Sequence, residues 1–184
     1  MKFIILTSIV GIIFSNCNSF GSRLCYQNPT LKLEKVNKII YFQPSIFPQI
    51  EEIKQPTYQV FSVAVSDQME SFNNIKTILM DHSLEYERVD IEYIKEVGRN
   101  NQAEAIVVPN IKYFKVGFGK YVFSNQVLIS LKLYDAQGNF LIETQYDTYK
   151  GNARLLGKAE NSIKIGTKTA VKELLKLIRK KTVF

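Results

Sequence analysis

The most constraining feature of this chain is the stretch from Tyr121 to Tyr149. Val127, Ile129, Leu131 and Leu133 alternate with Gln126, Ser130 and Lys132, and Leu128 is the one break in the polar set. A period of two over this length is a strand with one buried face. Asp135–Ala–Gln–Gly–Asn139 follows, with Gly138 supplying the positive φ that a tight hairpin loop needs. Phe140 to Tyr149 then returns as the partner strand. A lone hairpin is barely stable in water, so the rest of the chain must cover its apolar face.

The carboxy-terminal segment is suited to that role. Over Asn161–Lys181, Ile163, Ala170, Val171, Leu174, Leu177 and Ile178 share one arc of a helix projection. Lys164, Lys168, Lys172, Lys176 and Lys180 recur every four residues on the opposite arc. An apolar stripe of this width docks a helix on a sheet.

Upstream, the signals are shorter. Lys38–Gln43 is a β-rich run stopped by Pro44. Tyr58–Val65 (YQVFSVAV) shows near alternation and β-branching, and predicts a second strand. Asp67, with Glu70 three residues on, resembles a capping box and predicts a helix over Asp67–Asp81. Leu84–Arg88 suits a short strand. Asp90 can cap a helix that turns Ile91, Ile94 and Val97 inward and ends at Gly98. Ala105–Val116 begins the long strand run, with Pro109 predicting an edge position or a bulge. Gly117–Phe–Gly119 reads as a turn. The expected order is β-β-α-(β)-α-β-β-β-α. This is an α+β fold, a mostly antiparallel sheet with two or three helices packed on one face.

Composition excludes several classes. In 184 residues, 46% are apolar, 22% charged and 12% aromatic, which is ordinary for a globular domain. One histidine and two cysteines cannot furnish a zinc ribbon or a disulfide framework. No apolar run reaches the roughly 20 residues of a membrane-spanning helix.

The amino terminus carries an address. Lys2 precedes Phe3–Phe14 (FIILTSIVGIIF), and Ser15, Asn16 and Cys17 follow. A basic start, a short apolar core and small residues before a cut are the parts of a secretory signal. Phe14–Ser15–Asn16–Cys17 resembles a bacterial lipobox of the relaxed, spirochaete-like kind, in which the cysteine receives lipid. Phe14 and Asn16 depart from the common Leu and Gly or Ala. Residues 1–16 are thus expected to be a lipoprotein signal peptide, 17–35 a lipidated tether and 36–184 a single α+β domain. Cys17 would carry palmitate-type acyl chains, several of which anchor a protein where one holds only marginally. Cys25 is then an odd cysteine, either an incidental thiol or one half of an intermolecular disulfide.

The layout after the tether is also familiar. Ile91–Glu–Tyr–Ile–Lys–Glu–Val–Gly–Arg–Asn–Asn–Gln–Ala–Glu–Ala–Ile–Val–Val–Pro109 is a helix, a polar turn and a strand led by small residues. Two long strands follow, with Leu133–Tyr–Asp–Ala–Gln–Gly138 between them, and then an amphipathic helix. Residues 36–181 resemble the small envelope lipoproteins related to the curli-secretion lipoprotein and the TolB amino-terminal domain. The resemblance implies a non-enzymatic component of the outer membrane that binds another envelope component. The strands over Tyr121–Tyr149 lack the long, clean alternation of a membrane barrel, so no channel is expected.

Candidate chemistry is sparse. His82 is the lone imidazole and sits beside Asp81 at the end of a predicted helix, without a nucleophile or second histidine in a recognisable spacing. No phosphate loop or dinucleotide fingerprint is present. No catalytic residue, metal or cofactor is expected. The sharper feature is basic: Lys164, Lys168, Lys172, Lys176 and Lys180, together with aromatics Tyr113, Phe114, Phe118, Tyr121 and Phe123 among Lys112, Lys115 and Lys120. In an exported protein this pattern suits acidic headgroups or polyanions rather than nucleic acid. Two partner classes therefore stand, another envelope component or a host molecule met at the cell surface.

Overall fold

The alternation that dominates the sequence also organises the molecule. The structure, a computed structural model, describes residues 21–30, 35–72, 74–114, 126–150 and 158–182. Among them, strands β1 (Ser22–Gln27), β2 (Lys38–Gln43), β3 (Ser45–Phe47), β4 (Lys76–Ser83), β5 (Ala105–Tyr113), β6 (Val127–Asp135) and β7 (Phe140–Asp147) form one open sheet. The helices are α1 (Glu51–Met69), α2 (Ile91–Asn101) and α3 (Ala159–Thr182). The strand order is β1-β7-β6-β5-β2-β4, with β3 also paired to β5. The pairs β1/β7, β7/β6 and β6/β5 are antiparallel. The pairs β5/β2, β5/β3 and β2/β4 are parallel.

Strand alternation sorts the core into two faces. Val127, Ile129, Leu131 and Leu133 of β6, with Ile39 and Tyr41 of β2, pack against Phe61 and Val65 of α1 and Val171 and Leu174 of α3. Ile40, Phe42, Ile106 and Val108 point the other way, onto Ile94 and Val97 of α2. The α+β class and the prevailing antiparallel pairing hold. Two helices share one face as expected, and the third lies on the opposite face.

Helix α2 begins where its capping signal places it. The Asp90 side chain accepts from the Tyr93 N–H at 3.1 Å. It runs past Gly98, however, and closes at Gln102 in the left-handed region, φ 52°. Gly138 sits in the hairpin loop at φ 79°, as its position required.

Four expectations are overturned between residues 17 and 88. Tyr58–Val65 is helix, the middle of α1. Ile53, Thr57, Phe61, Ala64, Val65 and Met69 are its buried side, a full helical period of which YQVFSVAV shows only the middle. The expected helix over Asp67–Asp81 is divided: α1 ends at Met69, and Lys76–Ser83 is strand β4, at the sheet edge. Leu84–Arg88 is loop. Finally, the stretch expected to be a free tether contributes β1, which pairs with β7 from Ser22↔Tyr146 to Gln27↔Ile142.

Pro109 lies in an interior strand rather than at an edge. Tyr41 pairs with Val107 and Ser45 with Asn110, so Val108 and Pro109 fall opposite the break between β2 and β3. The missing N–H is accommodated at that interruption. Gly117–Gly119 and most of the early part of the Tyr121–Tyr134 strand lie outside the described residues.

Candidate functional site

The interruption at β2/β3 creates a concavity. Strand β4 stops at Ser83, opposite Gln43, while β3 continues along β5. The edge of β3 away from β5 therefore opens onto a groove of about 620 Å³, at the carboxyl ends of the parallel strands. Crevices at such strand ends are where open sheets commonly bind ligands. Lys54 and Tyr58 of α1 line one wall, Ser45 and Asn110 the floor, and the loop after β4 the other wall.

Several of its polar groups are engaged, by one another or by neighbours outside the groove. Ser45 Oγ donates to Asn110 Oδ1 at 3.0 Å. Lys54 Nζ pairs with Glu51 at 2.6 Å, within the first turn of α1. Lys112 Nζ stands 5.5 Å from the centre of the Phe47 ring. Tyr86 is the buried member. Its hydroxyl donates to Glu143 Oε1 at 3.0 Å, and Lys132 Nζ donates to its backbone carbonyl at 2.8 Å. The same ammonium lies 4.2 Å from the ring centre. Burial, and then the Glu143 carboxylate, push the Tyr86 phenol far above its ordinary range. It is a neutral hydrogen-bond donor that pins the 83–89 loop to the sheet.

Among the described residues of the groove, no hydrogen bond pairs a nucleophile with a base. Among the described residues, no group of three or more His, Cys, Asp and Glu gathers at a metal-ligating distance. Neither a metal nor a cofactor is assigned.

His82 is on β4, not at a helix end. Its Nδ1 lies 3.0 Å from Asp81 Oδ1 and its Nε2 3.0 Å from the Tyr93 hydroxyl. The Asp81 carboxyl is held below its ordinary range, first by the hydrogen bond from His82. An ionised carboxylate accepts only, so Nδ1 donates to Asp81. The imidazole also meets Phe42 edge-on, with 5.2 Å between ring centroids. These contacts join the edge strand to α2.

The lysine stripe is divided. Asp67 of α1 receives Lys168 at 2.7 Å and Lys164 at 3.6 Å. The hydrogen bond from Lys168 is the main cause that lowers the Asp67 carboxyl. Lys176 pairs with Glu173 at 2.7 Å, and Lys172 is exposed. The side chain of Lys180 lies outside the described residues, as do Phe118, Tyr121 and Phe123. Tyr113 is core: its hydroxyl sits 2.6 Å from Thr57 Oγ1. Two of the five lysines thus tie α3 to α1, which a helix projection of α3 alone cannot reveal.

Cys17 lies outside the described residues. Cys25 is a free, exposed thiol on edge strand β1. Partial burial and the nearby Glu143 raise it above its ordinary value, against a smaller opposing effect of Arg23. Sequence reasoning missed Tyr86 and Glu143. Counting back from the Gly138 turn would have set Lys132 opposite Glu143, but no local signal brings Tyr86 across the sheet.

No protein-family model matches the chain, and no curated protein matches it in sequence. Solved structures do. A PelC dodecamer from Paraburkholderia phytofirmans aligns with TM-score 0.53 and 10% identity, over 83% of this chain and 95% of that one. A homolog of the neuraminyllactose-binding hemagglutinin from Helicobacter pylori gives 0.45 at 10% identity, covering 84% and 97%. Lipoprotein GNA1162 from Neisseria meningitidis gives 0.36 at 12%, covering 78% and 98%. At these identities the PelC match establishes a shared fold, and the two weaker scores carry no argument. Among the described residues, no helix is long and apolar enough to cross a membrane.

Proposed function

We propose that this is a lipid-anchored, non-enzymatic lipoprotein of the cell envelope, an accessory or assembly component of the outer membrane that binds another envelope component. The observation that carries this reading is the arrangement Lys2, Phe3–Phe14, Ser15–Asn16–Cys17, with a strand built into the sheet starting at Ser22. On this reading the apolar leader is removed at the cysteine, and the cysteine left behind supplies the anchor. The fold shared with PelC, solved as a dodecamer, supports an assembling role, with further copies of this chain among the partners. The groove beside β3, onto which a strand edge opens, suits an extended protein segment.

The alternative is a surface-displayed protein that grips host polyanions through the basic face of α3. Asp67 and Glu173 already engage three of those lysines, which weakens it. Replacing Cys17 with Ser should move the domain from the membrane to the soluble fraction; retention in the membrane would refute the anchor. Protease added to intact cells should leave an inward-facing domain whole, whereas its digestion without lysis would favour display at the surface.

A further inference from the structure

The sheet has two outermost strands, and they differ as pairing edges. Strand β1 pairs with β7 through a register shift between Leu24 and Tyr26, and it carries Arg23. Bulges and charges of this kind spoil an edge as a template. Strand β4, at the other end of the order, is regular from Lys38↔Lys76 to Tyr41↔Leu79 and shifts only beyond Leu79, before Gln43↔Ser83. The Lys76 N–H donates to the Asn37 carbonyl at 2.8 Å, so Lys76 turns its backbone groups toward β2. These directions alternate along a strand, which leaves the N–H and C=O of Thr77 and Leu79 pointing outward. Among the described residues, no strand pairs with that side of β4.

The side chains along this edge are incompletely covered on both faces. Thr77, Ile78, Leu79 and Met80 are each half-buried. Leu79 packs on the core beneath α1 and α3, and Ile78 and Met80 on the core beneath α2. A second copy, turned about a two-fold axis normal to the sheet, brings its own α1 and α2 to the same two faces and continues both layers. In such an antiparallel pair, outward backbone groups must meet outward groups and like faces must stay together. The register that uses both outward residues of the regular stretch sets Thr77 opposite Leu79 of the second copy, and Ile78 opposite its own equivalent. Charge favours the same direction. Lys76 and Asp81, both exposed, stand toward opposite ends of β4. Antiparallel pairing brings the Lys76 end of each strand to the Asp81 end of the other. Parallel pairing in register would set like charges side by side, which destabilises a sheet.

We propose that β4 is a self-association edge, at which two copies of this chain pair their β4 strands antiparallel about a two-fold axis at Ile78 and continue one sheet across both. This deepens the assembling role proposed above and rests on it, while lipidation of Cys17 is not required. A two-fold contact of this kind closes a dimer, and it also serves within larger dihedral assemblies. The competing arrangement sets β4 of one copy on β1 of the next, a head-to-tail contact.

The test uses the full-length protein, purified in detergent, in a Cys25→Ser background. Chains carrying Ile78→Cys, Leu24→Cys or both are mildly oxidised, and the bridged peptides are identified by mass spectrometry, which sets apart any bridge through Cys17. Facing residues of a non-hydrogen-bonded antiparallel pair have Cβ atoms about 4.5 Å apart, close to disulfide geometry, so Ile78→Cys should bridge to its own equivalent roughly tenfold more than Leu24→Cys does. Thr77→Pro removes an outward N–H and leaves the ladder to β2 whole. It should weaken self-association by roughly tenfold or more in analytical ultracentrifugation, with the melting temperature nearly unchanged. If Thr77→Pro fails to fold, the bridge at position 78 decides alone. A parent chain that stays monomeric at every concentration would overturn the edge and the assembling role together. Self-association that survives Thr77→Pro, with no bridge at position 78, would overturn the edge and leave the assembling role standing. Bridges that join position 24 to position 78 would overturn the two-fold in favour of the head-to-tail contact.

Discussion

The two halves of the sheet are built by different rules. In the antiparallel half, β6 and β7 show one face to α3 and the other to polar residues, so Ile129, Leu131 and Leu133 alternate with Ser130 and Lys132. In the parallel half, β2 is buried on both faces, between α1 and α2, and Ile39–Ile40–Tyr41–Phe42 is a continuous apolar run. Alternation reports one covered face, and a run reports two. The first half of the molecule therefore hides its topology from local pattern, while the second displays it.

The largest effect expected from breaking this arrangement is Leu174→Asp. Leu174 is fully buried between α3 and the antiparallel strands, and an unpaired carboxylate there should cost about 4 kcal/mol or more. Thermal denaturation checks it; an unchanged melting temperature would remove α3 from the sheet.

A pair of glycines sharpens the contrast. Both Gly166 in α3 and Gly98 in α2 sit inside helices, where alanine alone would gain about 1 kcal/mol. A Cβ at Gly166 would stand 2.7 Å from Ile129 Cδ1 and 2.9 Å from Thr148 Cγ2. Gly166→Ala should destabilise by about 1–3 kcal/mol through overpacking. At Gly98 the nearest atoms are 3.2 Å away, so Gly98→Ala should remain within about 1 kcal/mol of the parent. Equal effects in urea denaturation would contradict the tighter helix packing on the antiparallel half.

The misread region shows why legibility ended where it did. Pro56 lies in the second turn of α1, and Ile53, Thr57, Phe61 and Val65 keep the helical period on either side of it. Thr57 Oγ1 bonds the Ile53 carbonyl at 2.6 Å there. Strand β4 mimicked a helix because, at the edge, its side chains are half-covered on both faces, and its Leu79 and Met80, with Ile75 just before it, happen to fit a helical spacing. By contrast, Asp90, Gly138 and the α3 stripe act within a few residues and were readable. The candidate groove was not, since it arises from β4 ending before β3 does, a relation between segments about forty residues apart. For the readable cap, Asp90→Ala should cost about 1 kcal/mol, seen by chemical denaturation.

The smallest expected effect is at Asp67. Its folded value lies below the ordinary 3.8, so the stabilisation from the Lys168 bridge is present above that value and is lost as pH falls through the depressed one. The melting-temperature gap between the parent and Asp67→Asn should close below about pH 4 and shrink in high salt. A gap unchanged at low pH would show that the bridge does not hold α3 to α1.

The proposed placement of this domain depends on its first residue after processing. Intact-mass analysis of the native protein from its cells decides it. The account predicts a chain beginning at Cys17 with acyl groups attached, from which an inhibitor of lipoprotein signal cleavage restores residues 1–16. A soluble chain that begins at Met1 with an unmodified Cys17 would contradict it.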